Sequence, residues 1–143
     1  MEKKNKLMGL LVIIFLLAGG LMAFQQYRIS SVNKELERTV QENIHGFAGV
    51  AGNVDEYSYR KQYAHVRTAH EAYVIISDRS GFVEWDESLA GILIQITFLM
   101  DNDKEKFQRV FSNPEVGELL FKIGDDFEDK DLLHELYVFM EAE

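Results

Sequence analysis

An uncharged apolar run covers residues Leu7–Phe24 and constrains the chain more than any other feature. A helix rises about 1.5 Å per residue, so these eighteen residues extend about 27 Å, close to the ~30 Å hydrocarbon thickness of a bilayer. Lys3, Lys4 and Lys6 precede the run, and basic residues are retained on the cytoplasmic side of a membrane. The run therefore predicts a single-pass signal-anchor with a cytoplasmic N-terminus and an extracytoplasmic C-terminal domain.

A cleaved signal peptide is the competing interpretation, because basic residues followed by an apolar stretch are also typical of a secretory leader. Cleavage would leave a secreted domain. The apolar run is longer than the usual core of such a leader, and the nearest small-residue sequences, at 18–20 and 21–23, are imperfect cleavage sites. Both features favour retention in the cell membrane.

The rest of the chain is acidic and lacks cysteine. From Gln25 onward it holds twelve Lys and Arg against twenty-three Asp and Glu, a net charge of about −11. Such a surface repels phosphates and anionic lipid headgroups, so nucleic acid is not an expected partner. The lack of cysteine excludes disulfides, thiolate metal sites and cysteine nucleophiles. With 47% hydrophobic residues and one proline, about 115 residues remain for one folded domain.

Four segments follow from this pattern: a cytoplasmic tail (1–6), the transmembrane anchor (7–24), a juxtamembrane helix with a glycine-containing hinge (25–55), and an acidic extracytoplasmic helical domain (56–143). The juxtamembrane helix is indicated by apolar residues spaced three or four apart. These residues are Val32, Leu36, Val40, Ile44 and Phe47. Gly46, Gly49 and Gly52 predict a loop or hinge, because glycine destabilises a helix interior by about 1 kcal/mol relative to alanine.

The domain is predicted to be mainly α, a small helical bundle. Apolar residues at helical spacing indicate helices over 56–77, 85–100, 104–111 and two segments near the C-terminus. Ser112-Asn-Pro-Glu115 resembles a capping box with proline in the first turn, and Gly124 suits a left-handed C-terminal position. An α+β alternative pairs 72–77 with 91–99 as one hairpin, because Ile92, Ile94, Ile96 and Phe98 alternate with other residues.

The acidic, histidine and serine residues of the chain do not have the spacing of known catalytic or metal-binding motifs. The acidic run that begins at Asp101 starts like a calcium loop, but Lys106 replaces the required glycine. The four histidines form no zinc-binding motif, and no serine-nucleophile motif occurs. We therefore expect no catalytic residue, no metal ligand and no cofactor, and the protein is not expected to be an enzyme.

The most distinctive composition outside the anchor is a group of tyrosines beside basic residues in 56–77. Tyrosine and arginine are enriched at protein interfaces, although tyrosine is also common at the half-buried rim of a core. We interpret the chain as a membrane-anchored interaction module that binds another protein of a bacterial envelope through Tyr59, Tyr63 and Arg67. The alternative is a domain that senses a ligand or metal ion through its acidic linker or histidines.

Overall fold

The computed structural model describes residues 2–80 and 88–142, with side chains from 14–77 and 88–142. These residues form six α-helices and no β-strand. The helices are α1 (Glu2–Ala48), α2 (Glu56–Ser80), α3 (Leu89–Asn102), α4 (Lys104–Phe111), α5 (Pro114–Asp125) and α6 (Lys130–Glu141). The prediction of a mainly helical protein with a helical-bundle domain is confirmed.

The hairpin alternative is wrong, since residues 72–77 lie in α2 and residues 91–99 lie in α3. The buried residues of α3 recur at helical spacing, and the Ser88 side chain accepts a hydrogen bond from the Gly91 backbone at the helix start. The buried set is Leu89, Ala90, Ile92, Leu93, Ile96, Leu99 and Met100. Burial on this helical face outweighs the strand preference of the isoleucines, because both the cap and the packing require a helix.

The start of α5 differs in detail from the predicted capping box. Ser112 has helical backbone angles and ends α4, so it cannot adopt the extended conformation of an N-cap. Asn113 caps α5 instead, and its side chain accepts a hydrogen bond from the Glu115 backbone. Pro114 follows in the first turn, as predicted.

Gly46 and Gly124 serve close packing rather than flexibility. Gly46 lies inside α1, which continues to Ala48, so the predicted hinge begins later than expected. A Cβ on Gly46 would lie 2.5 Å from the His65 ring, and a Cβ on Gly124 would lie 2.2 Å from the His45 ring. Gly124 is helical, which corrects the predicted left-handed cap. Among the described residues only Gly52 has a positive φ, of 75°.

The chain divides into two compact units, Met1–Glu35 and Leu36–Glu143. The second unit contains a continuous apolar core to which all six helices contribute. The C-terminal part of α1 supplies Val40, Ile44 and Phe47, which are almost fully buried. Phe47 packs against Phe107 and Phe111, with ring centroids 6.4 and 5.4 Å away. An aromatic cluster thus joins α1 to α4 inside this unit.

In the first unit, large apolar side chains are exposed along the described part of α1. They are Ile14, Phe15, Leu16, Leu17, Leu21, Met22, Phe24, Tyr27, Ile29 and Val32. Among the described residues, no helix combines the length and apolar character needed to cross a membrane. The transmembrane prediction for 7–24 therefore finds no support there, and the side chains of residues 7–13 lie outside the described residues.

Candidate functional site

An open groove of ≈390 Å³ lies between α2 and α3. Its walls carry aromatic, aliphatic and polar side chains from two helical turns of each helix. The lining residues are Tyr63, Arg67, His70, Ile94, Thr97, Phe98, Asp101 and Asn102. On α2 they fall at positions i, i+4 and i+7, and on α3 the residues Ile94, Phe98 and Asp101 repeat that spacing. Each helix therefore presents one continuous stripe to the groove.

Tyr59 fixes one end of the helix pair and does not line the groove. Its hydroxyl donates a hydrogen bond to the Met100 carbonyl, and its ring packs edge-on against Phe107 at 6.0 Å. The Lys104 ammonium lies 4.9 Å from the centre of the ring. Burial, together with the nearby Asp101 carboxylate, raises the pKa of Tyr59. These contacts make Tyr59 a packing residue at the edge of the core.

Tyr63 and Arg67, the other two predicted interface residues, both line the groove. The Arg67 guanidinium donates a hydrogen bond to Glu71 at 2.9 Å, and this contact raises the pKa of Arg67. Both groups of the pair are well exposed. The structure therefore brings together two of the three residues predicted from sequence and places the third in the packing behind them.

His70 lies in the groove wall and has a buried ring nitrogen. Nε2 of His70 has no hydrogen-bond partner among the described residues. An imidazole nitrogen can donate or accept according to the tautomer. Because this nitrogen is buried, a molecule in the groove does not reach it without a movement of the ring.

Ile94 and Phe98 were not predicted as site residues, because α3 reads as apolar nearly all round. The structure leaves Ile94 and Phe98 46% and 61% exposed, while the opposite face of α3 is buried. A signal was present in the sequence. Ile94 and Phe98 lie four residues apart and share their face with the more polar Gly91 and Gln95, away from the Leu89, Ile92, Ile96 and Leu99 stripe.

The remaining histidines lie away from the groove and make packing contacts or surface contacts. Nε2 of His45 lies 3.2 Å from an Asp125 carboxylate oxygen and 3.1 Å from the Phe121 carbonyl oxygen. Nδ1 of His65 lies 3.0 Å from the Asn43 side-chain oxygen. Burial and the charge of Lys61 lower the pKa of His65. Within the described residues, no three histidine, aspartate or glutamate side chains converge to hold a metal ion.

In the part of the chain that the structure describes, the geometry thus defines a helical domain with an open, partly apolar groove on one helix pair. Comparison with known families, with curated proteins and with solved structures finds no match for this chain. The function proposed below is therefore argued from the chain's own residues.

Proposed function

We propose that this protein is a membrane-anchored module that binds another protein through the α2–α3 groove. The apolar helix of residues 7–24 is the proposed anchor, with the N-terminus in the cytoplasm and the domain outside it. The observation that carries the binding proposal is the exposure of Phe98 and Ile94 beside Tyr63 in an open groove. Covering such apolar surface is worth about 25 cal/mol per Å².

The anchor is supported by the consecutive exposed apolar residues on α1. Ile14, Phe15, Leu16 and Leu17 point in successive directions around the helix axis, and each is more than half exposed. A helix that is apolar on every side requires an apolar environment on every side. A lipid bilayer supplies that environment, and the lysines before the run favour the proposed orientation.

Protein binding fits the openness of the groove better than binding of a small molecule does. Small-molecule sites usually enclose most of the ligand surface. Phe98 is 61% exposed, so its ring stands at the surface, where a partner's side chains can pack against it on several sides. Aromatic and arginine side chains such as those of Tyr63 and Arg67 are also enriched at protein interfaces.

The test is recovery of a partner from native membranes with tagged full-length chains. Phe98→Asp is expected to lose the partner, because it places a charge in the apolar part of the groove. Val138→Asp is the matched control, since Val138 is 48% exposed on α6 and does not line the groove. Equal recovery by both variants, or no partner with the unchanged chain, would contradict the proposal.

Small-ligand sensing is the second candidate, favoured by the volume of the groove. A volume of ≈390 Å³ lies within the range of about 300–1,000 Å³ typical of ligand sites. A ligand that binds the folded domain must raise its melting temperature. A screen of small molecules, calcium and zinc against the full-length chain and a His70→Ala variant tests this. A shift that survives His70→Ala would place the ligand elsewhere.

A further inference from the structure

We infer that the occupant of the α2–α3 groove is an amphipathic helix of a partner protein, with an apolar stripe flanked by lysine or arginine. This inference rests on the proposed function and specifies its partner. Three observations support it: the shape of the groove, the distribution of charge along it, and the net charge of the domain.

The shape of the groove fits a helix. Its two walls are helices, and the hydrogen bond from Tyr59 to Met100 joins the start of α2 to the end of α3. Seven residues of helix span about 10 Å, so the stripes on both walls run for about two turns. A third helix can pack into a groove between two helices through residues spaced i, i+3, i+4 and i+7. Tyr63, Ile94 and Phe98 provide the apolar surface for that stripe.

The charges along the groove favour a partner helix that carries lysine or arginine beside its apolar stripe. Arg67 is paired with Glu71, which leaves Asp101 as a carboxylate in the lining with no ion pair among the described residues. Asp101 lies in the last turn of α3, and that turn contains no basic residue. The carbonyl groups of a helix C-terminus carry partial negative charge, so a cation is favoured there. Lys104, the next cation along the chain, lies over the Tyr59 ring.

The net charge of the domain favours some occupants of the groove over others. Residues 36–143 contain ten Lys and Arg against twenty-two Asp and Glu, a net charge of −12. Two copies of this domain repel each other, and an anionic lipid surface repels it as well. A segment rich in lysine or arginine is attracted over long range and steered towards the groove. A basic helix therefore satisfies both the apolar and the electrostatic character of the site.

The test begins with photo-crosslinking from inside the groove. Phe98→p-benzoylphenylalanine in the full-length chain, within its native membranes, is expected to capture a protein. Mass spectrometry of the crosslinked peptide is expected to show apolar residues at helical spacing with lysine or arginine beside them. The same photoreactive residue at Val138 is the control and is expected to yield no such product. Phe98 is largely exposed, so the replacement leaves the core intact.

The captured segment is then synthesised and titrated against the full-length chain in lipid nanodiscs, with empty nanodiscs as the blank. Phe98→Ser is expected to weaken binding roughly tenfold to a hundredfold, from the loss of a buried aromatic ring. Asp101→Asn is expected to weaken binding up to about fivefold and to reduce its salt dependence. Glu118→Gln, which removes the same charge from the exposed surface of α5, is expected to have no effect.

The outcomes separate the inference from the function on which it rests. Capture of an acidic or unpatterned segment, of a second copy of this chain, or of lipid would overturn the basic-helix inference. Equal effects of Asp101→Asn and Glu118→Gln would overturn its electrostatic part. Failure to capture any protein from position 98 would overturn the proposed function itself.

Discussion

Phe15 and Phe47 belong to the same helix but have opposite environments. Phe15 is 78% exposed, whereas Phe47 is 1% exposed and packs against two other phenylalanine rings. Apolar residues are consecutive around Phe15, whereas around Phe47 they recur at helical spacing with polar residues between them. Helix formation is therefore common to both parts of α1, while the pattern of apolar residues decides which part enters the protein core.

The largest expected effect on the stability of the fold is that of replacing Phe47 by alanine, and Phe15 provides the matched comparison. Phe47→Ala is expected to lower the free energy of unfolding by about 3–5 kcal/mol, because it leaves a cavity in the aromatic cluster. Phe15→Ala is expected to change it by less than about 0.5 kcal/mol. Urea unfolding of the detergent-solubilised chain, followed by circular dichroism, measures both. Similar losses for the two variants would show that Phe15 also contributes to the folded core.

The second prediction tests whether lipid surrounds the N-terminal part of α1. Leu17→Arg places a charge in the apolar run and is expected to disfavour membrane insertion by about 3 kcal/mol. Ile29→Arg is the control, because Ile29 is exposed on the same helix but lies beyond the run. Carbonate extraction of membranes measures the retained fraction of each variant. Unchanged retention of Leu17→Arg would exclude the run as the anchor.

A third test compares two glycines of α1. Gly46→Ala is expected to lower the free energy of unfolding by about 1–3 kcal/mol, because the added Cβ would lie 2.5 Å from the His65 ring. Gly20→Ala meets nothing within 4 Å in the described part of the chain, so it is expected to favour the helix by up to about 1 kcal/mol. Thermal unfolding of both variants measures the difference. A stabilising Gly46→Ala would mean that His65 moves aside without cost.

The smallest expected effect is a pH dependence that arises from His65 of α2, whose ring packs against the C-terminal part of α1. Burial and Lys61 lower the pKa of His65 below its ordinary value of about 6.5. The unfolded chain then binds the proton more readily than the folded domain does. Stability is therefore expected to fall as the pH drops below about 6.5 and to level off below the lowered pKa.

Urea unfolding between about pH 7.5 and 5.5 measures this slope in the unchanged chain and in His65→Gln. The variant is expected to show a shallower slope, because it lacks the titrating ring. The segment from Ile14 to Phe24 contains no titratable side chain and contributes nothing to it. An identical slope in the variant would assign the pH dependence to other groups.

The helices could be predicted from sequence because their apolar residues recur at helical spacing. Lys104–Phe111 was predicted with its observed limits, since Asp101-Asn-Asp103 precedes it and its apolar residues share one face. The cap of α5 was misplaced by one residue, because Ser112 and Asn113 are both good N-caps in sequence. Only the backbone conformation, helical at Ser112 and extended at Asn113, distinguishes them.

The groove could be predicted only in part, because it requires two helices to meet. Tyr63 and Arg67 were found from local composition. Tyr59 has the same composition around it and differs in its contacts with Met100, Phe107 and Lys104, which come from other helices. Phe98 was missed because α3 is apolar nearly all round, so Gly91 and Gln95 mark its exposed face only weakly in the sequence. Which face of α3 remains uncovered depends on how α2 and α6 pack against it, and that is a long-range property of the fold.

Gly46 and Gly124 each face a histidine ring at a distance that leaves no room for a methyl group. His65 and His45 fill these two spaces, and each ring lies within hydrogen-bond distance of a neighbouring oxygen. The residues at positions 46 and 65 are therefore constrained jointly, and so are those at positions 124 and 45. In any lineage of this chain, a larger residue at 46 or 124 is expected to persist only with a smaller or reoriented one at 65 or 45. Each pair thus changes through compensatory substitution.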